Sequence, residues 1–190
     1  MYEAEIKLII TDENAIHAAL DSQARGKDEV YIDYYFTHPE LVPPNSEREL
    51  RVREIRWSEG SRSLLAFKDK VVDLATRSKR EYELKVADAA ELRRMLIAMG
   101  FNLDINLTKI CTNWTLSHGQ HEILATLVSV PELPDHYLEL ETLVGEETEV
   151  QAGINALRIF ASQLNLGRHD ETTTAYTDSV RSARAARIND

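Results

Sequence analysis

A single cysteine, Cys111, stands in a chain of 190 residues, so no internal disulfide framework staples the fold. No stretch approaches the roughly 20 consecutive apolar residues of a membrane-spanning helix. Positive charge is also short: 22 Lys and Arg face 32 Asp and Glu, a net charge of −10, which disfavours nucleic acid and anionic membrane as general partners. The six histidines, His17, His38, His118, His121, His136 and His169, lack the clustered spacing of a zinc site. Acidic residues appear at once in the N-terminal stretch, which therefore does not read as a signal peptide, and a cytoplasmic protein is the expectation. No repeat, low-complexity linker or shift in composition divides the chain, and 43% hydrophobic with 28% charged residues is the make-up of a soluble globular domain.

What is present is alternation. In Tyr2-Glu3-Ala4-Glu5-Ile6-Lys7-Leu8, side chains alternate across a strand, so Glu3, Glu5 and Lys7 share one face. The stretch 30–36 is rich in β-branched and aromatic residues and predicts a second strand. Further strands are predicted over about 48–57, 62–70, 77–86, 103–116, from the His118–Gln120 turn to about Val130, and over 136–143. Arg51 and Arg53 share a face, as do Lys79, Glu81 and Glu83, and Glu139 and Glu141. Lys27-Asp28-Glu29 reads as a break. Helices are predicted from Thr11-Asp12 to about Gln23 and from Asp88 to Gly100, the latter with Leu92, Met95, Leu96 and Met99 as its apolar stripe. Another runs over 146–164, with Val150, Ile154, Leu157 and Ala161 in line, and a short one starts near Tyr176. Its Arg181, Arg184 and Arg187 read as a solvated edge, and 181–190 as a frayed tail behind a single domain over 1–180. Trp57 and Trp114 read as packing residues.

Eight strands with one apolar and one charged face suit either an open sheet with a wet side or a closed barrel with charges in its lumen. Apolar helix stripes need an apolar sheet face, which turns the charged face away from them. If the sheet closes, that face is a tunnel holding Glu3, Glu5, Lys7, Arg51, Arg53, Lys68, Lys79, Glu81, Glu83, Lys109, Glu139 and Glu141. So many enclosed charges call for ligands of both signs. Carboxylates suit a hard divalent cation, and Lys and Arg suit a polyanion. A metal-bound polyphosphate meets both demands.

Glu3-Ala4-Glu5-Ile6-Lys7 resembles the Glu-x-Glu-x-Lys opening of the CYTH superfamily, the class IV adenylyl cyclases and thiamine triphosphatases also called triphosphate tunnel metalloenzymes. Arg51-Val52-Arg53, Lys68, Lys79-Arg80-Glu81-Tyr82-Glu83, Lys109, Glu139-Leu140-Glu141 and Tyr176 follow in that family's order, from Tyr2 to about Tyr176. The resemblance implies an α+β fold: a closed eight-stranded antiparallel β-barrel with helices packed outside. It implies Mg²⁺ or Mn²⁺ on Glu3, Glu5, Glu139 and Glu141, with Glu81 and Glu83 as further ligands. Lys7, Arg51, Arg53, Lys68, Lys79 and Lys109 are implied as triphosphate contacts, and Glu5 and Lys7 as the catalytic pair. Strand parity separately puts Lys79 inside and Arg80 outside. Two positions depart from the pattern. Cys111 replaces an arginine, and reads as a small wall residue without a base beside it. The aspartate before the last strand is missing, with Thr126 and Ser129 the nearest positions. The implied activity is conversion of ATP to cyclic AMP and pyrophosphate. Hydrolysis of inorganic or thiamine triphosphate stands beside it, as does a non-catalytic triphosphate-binding module. The oligomeric state is left open, a homodimer included.

Overall fold

The computed structural model describes residues 1–188. Its strands are β1 (Tyr2–Ile10), β2 (Lys27–Thr37), β3 (Glu49–Trp57), β4 (Gly60–Val71), β5 (Lys79–Val86), β6 (Asn102–His118), β7 (His121–Ser129) and β8 (His136–Val144). They close into one antiparallel barrel in the order β1-β5-β4-β3-β2-β6-β7-β8. Around it lie the helices α1 (Glu13–Asp21), α2 (Ala89–Ala98), α3 (Val150–Gln163) and α4 (Tyr176–Ile188). The expected α+β barrel is therefore the fold.

Local chemistry sets the helix ends. Asp12 and Asp88 accept hydrogen bonds from the Ala15 and Glu91 N–H groups at 3.0 and 2.8 Å, satisfying donors that the first turn leaves free. Gly100, at φ +93°, ends the α2 segment in a conformation that favours glycine. In α3 the predicted stripe of Val150, Ile154, Leu157 and Ala161 is buried against Ala4, Ile6 and Leu8 of β1 and Leu138 and Leu140 of β8. This packing fixes β1 and β8, the two strands that carry acidic pairs. The helix comes closest at Gly153, where an added Cβ would lie 2.9 Å from Ala4 Cβ and 3.2 Å from Thr142 Cγ2. Trp114 is fully buried in the same core, its Nε1–H donating to Asp21 at 2.8 Å.

Several expectations change. Lys27–Glu29 do not form a break but extend β2, because the 17-residue β6 pairs with it as far as Lys27↔Asn113. In the α2 stripe Leu96 is buried and Leu92 partly so, whereas Met95 and Met99 are 52% and 64% exposed. The outer face of β5 lacks a cover as well, with Leu84 66% exposed. The C-terminal segment stays helical through Ile188, past the start of the expected frayed tail. Its Arg181 pairs with Asp104, and Arg184 pairs with Glu132 at 2.6 Å and donates to the Asn106 carbonyl at 2.8 Å. Two of the three arginines thus clamp α4 to the barrel instead of forming a solvated edge. Residues 189 and 190 of the expected tail lie outside the described residues.

The β1–β5 seam is narrow, with Tyr2↔Arg80 and Glu3↔Lys79 as its paired residues. The Glu5 N–H extends it by donating to Ser78 Oγ at 3.2 Å. Gly153→Val should cost about 1–3 kcal/mol by overpacking α3 on this wall, read as a lower midpoint in thermal denaturation followed by circular dichroism. Ile159→Ala, at an exposed position of the same helix, should change stability by less than about 0.5 kcal/mol.

Candidate active site

Parity delivers the charged side chains to the inside. An upper chamber is lined by Glu5, Lys7, Arg51, Arg53, Lys68 and Lys79, with Lys109, Glu139 and Glu141 deeper in. Lys79 is inside, its Nζ donating to the Glu47 carbonyl at 2.6 Å. Arg80 is outside, over the rings of Tyr2 and Tyr82. A second, wider mouth of about 810 Å³ opens at the opposite end and is lined by Glu3, Glu81, Glu83 and Glu141, among others. Glu141 faces both spaces, so the carboxylate layer separates a cationic chamber from an acidic vestibule.

Within that layer the structure brings together Glu3, Glu5 and Glu141, whose ligand oxygens lie within 4.8 Å of one another. Glu139 points inside too, but Lys109 holds it at 3.1 Å. Glu81 lies 3.5 Å from Arg51 and 3.8 Å from Lys68, and Glu83 is exposed at the vestibule. The six expected metal-side carboxylates thus divide into a trio, two ion-paired residues and one rim residue.

Electrostatics follow the same division. Burial pushes Glu141 up to about 7, with Glu5 adding repulsion. Burial likewise raises Glu3 well above the usual carboxylate range, because Lys68 only partly offsets it and Glu141 and Glu81 add to it. Burial acts on Glu139 and Glu81 as well, yet Lys109 and Lys68 respectively hold each at about 2. The trio has more negative charge than its surroundings neutralise. Its donor set is all carboxylate oxygen, and Glu3 Oε2, although beside Lys68, accepts no well-aligned hydrogen bond. These residues fit a hard divalent cation.

The cationic side is largely pre-paired. Arg53 makes a bidentate pair with Asp33, at 2.6 and 2.7 Å, and stacks on Tyr31. Lys7 donates to the Thr174 carbonyl, and Lys7 and Lys109 flank the Tyr176 ring at 4.2 and 4.0 Å from its centroid. Burial lowers the Lys7 and Lys79 ammonium pKa values.

Reading the sequence missed the inner face of β2. Glu29, Tyr31, Asp33 and Tyr35 are buried there, and Glu29 receives Lys27 at 2.5 Å, Arg62 at 3.3 Å and Asn113 at 3.0 Å. Their alternation with Val30, Ile32, Tyr34 and Phe36 was the available signal. The lumen is also less uniformly charged than expected, since Ile105, Leu107, Cys111, Val128 and Val130 form a buried apolar cluster with the tyrosines. Cys111 is buried and its thiol pushed up to about 12 by burial, as suits a wall residue. At the missing aspartate, Thr126 is buried and donates its hydroxyl to Asn113 at 2.8 Å.

A closed antiparallel barrel with carboxylates set against a cationic chamber defines a tunnel-type domain built to hold opposite charges at one place. The chain belongs to the CYTH domain family, whose profile matches residues 1–176. That family is metal-dependent and acts on triphosphates. Among solved structures, the PH1819 protein of Pyrococcus horikoshii OT3 superposes with a TM-score of 0.83 at 22% identity, over 95% of this chain and 99% of that one. A candidate adenylate cyclase from Vibrio parahaemolyticus gives 0.76 at 18% identity, over 96% and 98% of the two chains. A candidate adenylyl cyclase from Hippeastrum, HpAC1, described as having a dominant triphosphatase activity, gives 0.64 at 15% identity, over 96% of each chain. At these identities the likenesses carry the fold. No curated protein sequence matches the chain. Among the described residues, no helix is long and apolar enough to cross a membrane.

Asp33→Asn should cost about 3 kcal/mol, because it leaves the buried Arg53 guanidinium without its counter-charge. Burial raises Asp33, but Arg53 wins and holds it well below the usual range. Its stabilisation is complete above the unfolded carboxylate value near ~3.9 and is lost as pH falls through the folded value. Urea melts should therefore show a constant gap between the wild type and Asp33→Asn from about pH 5 upward, shrinking below about pH 4.

Proposed function

We propose that the protein is a metal-dependent triphosphate hydrolase, using Mg²⁺ or Mn²⁺ and water to cleave a phosphoanhydride bond. The observation behind this reading is the position of the Glu3, Glu5 and Glu141 trio between a cationic chamber and a solvent-open acidic vestibule. A triphosphate in the upper chamber would meet Lys7, Arg51, Arg53, Lys68, Lys79 and Lys109, while water reaches the carboxylates from the opposite mouth. A divalent cation on Glu3, Glu5 and Glu141 would supply Lewis-acid neutralisation of charge on the phosphoryl oxygens. The protein's own cations do the rest by position. Lys7 and Lys109 stand in the chamber beside Glu139 and Tyr176, where they would hold non-transferred phosphate oxygens in place. Glu5, the member of the trio that faces the chamber but not the vestibule, would hold the cation on the side where the reacting phosphate lies. The reaction consumes one water and yields diphosphate and orthophosphate from tripolyphosphate. A cytoplasmic setting, where nucleotide triphosphates abound, goes with this reading.

A second reading, adenylyl cyclisation, is favoured by a groove of about 490 Å³ beside the chamber, lined by Tyr35, Phe36, Val42, Pro43 and Pro44 among others. These side chains offer apolar contacts for a nucleoside within a groove that Arg48, Glu49, Arg77, Asp104 and Arg181 otherwise make polar. There the ribose 3′-hydroxyl would attack the α-phosphorus and pyrophosphate would leave.

Purified protein incubated with ATP, tripolyphosphate or thiamine triphosphate and Mg²⁺ or Mn²⁺ separates the readings. Orthophosphate is the expected product; cyclic AMP with pyrophosphate would establish the cyclase instead, and tight binding without turnover would overturn both. Glu5→Gln should lower metal-dependent turnover by about 10²-fold or more, and unchanged activity would remove the tunnel assignment.

A further inference from the structure

Among the described residues, every ion pair made by the Glu3, Glu5 and Glu141 trio is made by Lys68. Its Nζ lies 2.8 Å from Glu3 Oε2 and 3.4 Å from Glu5 Oε2, and 3.8 Å from Glu81 Oε2 beside them. The other inward cations have partners elsewhere: Arg53 on Asp33, Lys109 on Glu139, and Arg51 between Glu49 and Glu81. An ammonium is a compact point charge on a flexible stem. A hard divalent cation takes carboxylate oxygens at about 2.0–2.6 Å, closer than Lys68 now stands. A divalent cation and the Lys68 ammonium would compete for these oxygens, two like charges at one place.

We propose that Lys68 is a resident counter-ion of the trio which a divalent cation displaces, and that the displaced ammonium then becomes a ligand of the triphosphate. The stem already lines the upper chamber, so a rotation of the side chain suffices. Displacement brings a further positive charge among Lys7, Arg51, Arg53, Lys79 and Lys109, an unfavourable arrangement until a polyanion arrives. Cation and triphosphate therefore favour each other's binding, and by the same factor in each direction. The idea rests on the metal–triphosphate reading of the tunnel and adds to it the exchange that links the two ligands.

The test uses Mn²⁺ alone, its free fraction read by electron paramagnetic resonance, with the full-length protein. Lys68→Met, which keeps length and loses charge, should bind Mn²⁺ about tenfold more tightly than the wild type. Lys7→Met removes a charge in the same chamber without touching the trio and should gain less than about twofold. Lys68→Arg, whose fork grips carboxylates harder, should bind Mn²⁺ about fivefold more weakly, and it decides the matter if the methionine variant does not fold. Equal or weaker Mn²⁺ binding by Lys68→Met overturns the proposal, as does undiminished binding by Lys68→Arg. A second arm uses imidotriphosphate, which resists hydrolysis. Without metal, Lys68→Met should bind it within about twofold of the wild type; with saturating Mn²⁺ it should bind about tenfold more weakly. An equal loss in both conditions would make Lys68 a standing phosphate contact and overturn the exchange. Failure of the wild type to bind Mn²⁺, with or without the analogue, would overturn the metal-tunnel reading itself and the exchange with it.

Discussion

Charge enclosed by a closed barrel has to be neutralised from within, and the rest of this structure follows from that constraint. Water screens poorly in the lumen, and an unpaired carboxylate or guanidinium there is costly. Most inner charges are accordingly matched across the lumen, while Lys7 and Lys79 rest on the Thr174 and Glu47 carbonyls. Arg53 is matched by Asp33, Lys109 by Glu139, and Lys68 by two members of the trio. The trio as a whole is matched incompletely, and burial, with repulsion among its members, makes Glu3 and Glu141 hold protons more tightly. A place where the fold leaves its own charge unbalanced is a place prepared for a ligand.

The shell supports this arrangement unevenly. The α3 helix packs on β1 and β8 with a glycine at the close approach, so the trio rests on a closely packed part of the wall. Tyr31, Tyr35 and Ile105, with Val128 and Val130, fill part of the lumen beside the charged groups. The same filling gives Cys111 a simple place: a small, unreactive side chain in a tyrosine-rich wall.

Much of this could be read from strand parity. The period-two pattern of Glu3, Glu5 and Lys7, of Arg51 and Arg53, and of Lys79 and Glu81 placed these side chains inside, because a pleated strand allows one alternative and the helices excluded it. Parity could not say which charges would pair. That depends on the register of strands distant in sequence, such as Lys7↔Glu139 and Thr126↔Glu139, which brings each acid beside a particular neighbour. Glu139 was expected with Glu141 for this reason, and the structure gives it to Lys109. The inner face of β2 is legible in its alternation of Glu29, Tyr31, Asp33 and Tyr35 with apolar and aromatic residues, although that aromatic and β-branched content masks it. The exposed Met95, Met99 and Leu84 show the opposite limit: a periodic stripe marks what a helix or strand could bury, not what the neighbouring elements leave room to cover.

The pairing of β1 with β8 has a further meaning for how the protein is made. Glu3 and Glu5 lie far from Glu141 along the chain, and they meet only when β8 joins β1. Contacts so far apart in sequence form slowly, after the entropy of closing a long loop has been met. A chain that stops before β8 lacks Glu141 and cannot assemble the trio, so the site depends on the β1–β8 pairing. Until then β1 has only its short pairing with β5, and the acids along its open edge discourage edge-to-edge association with other chains.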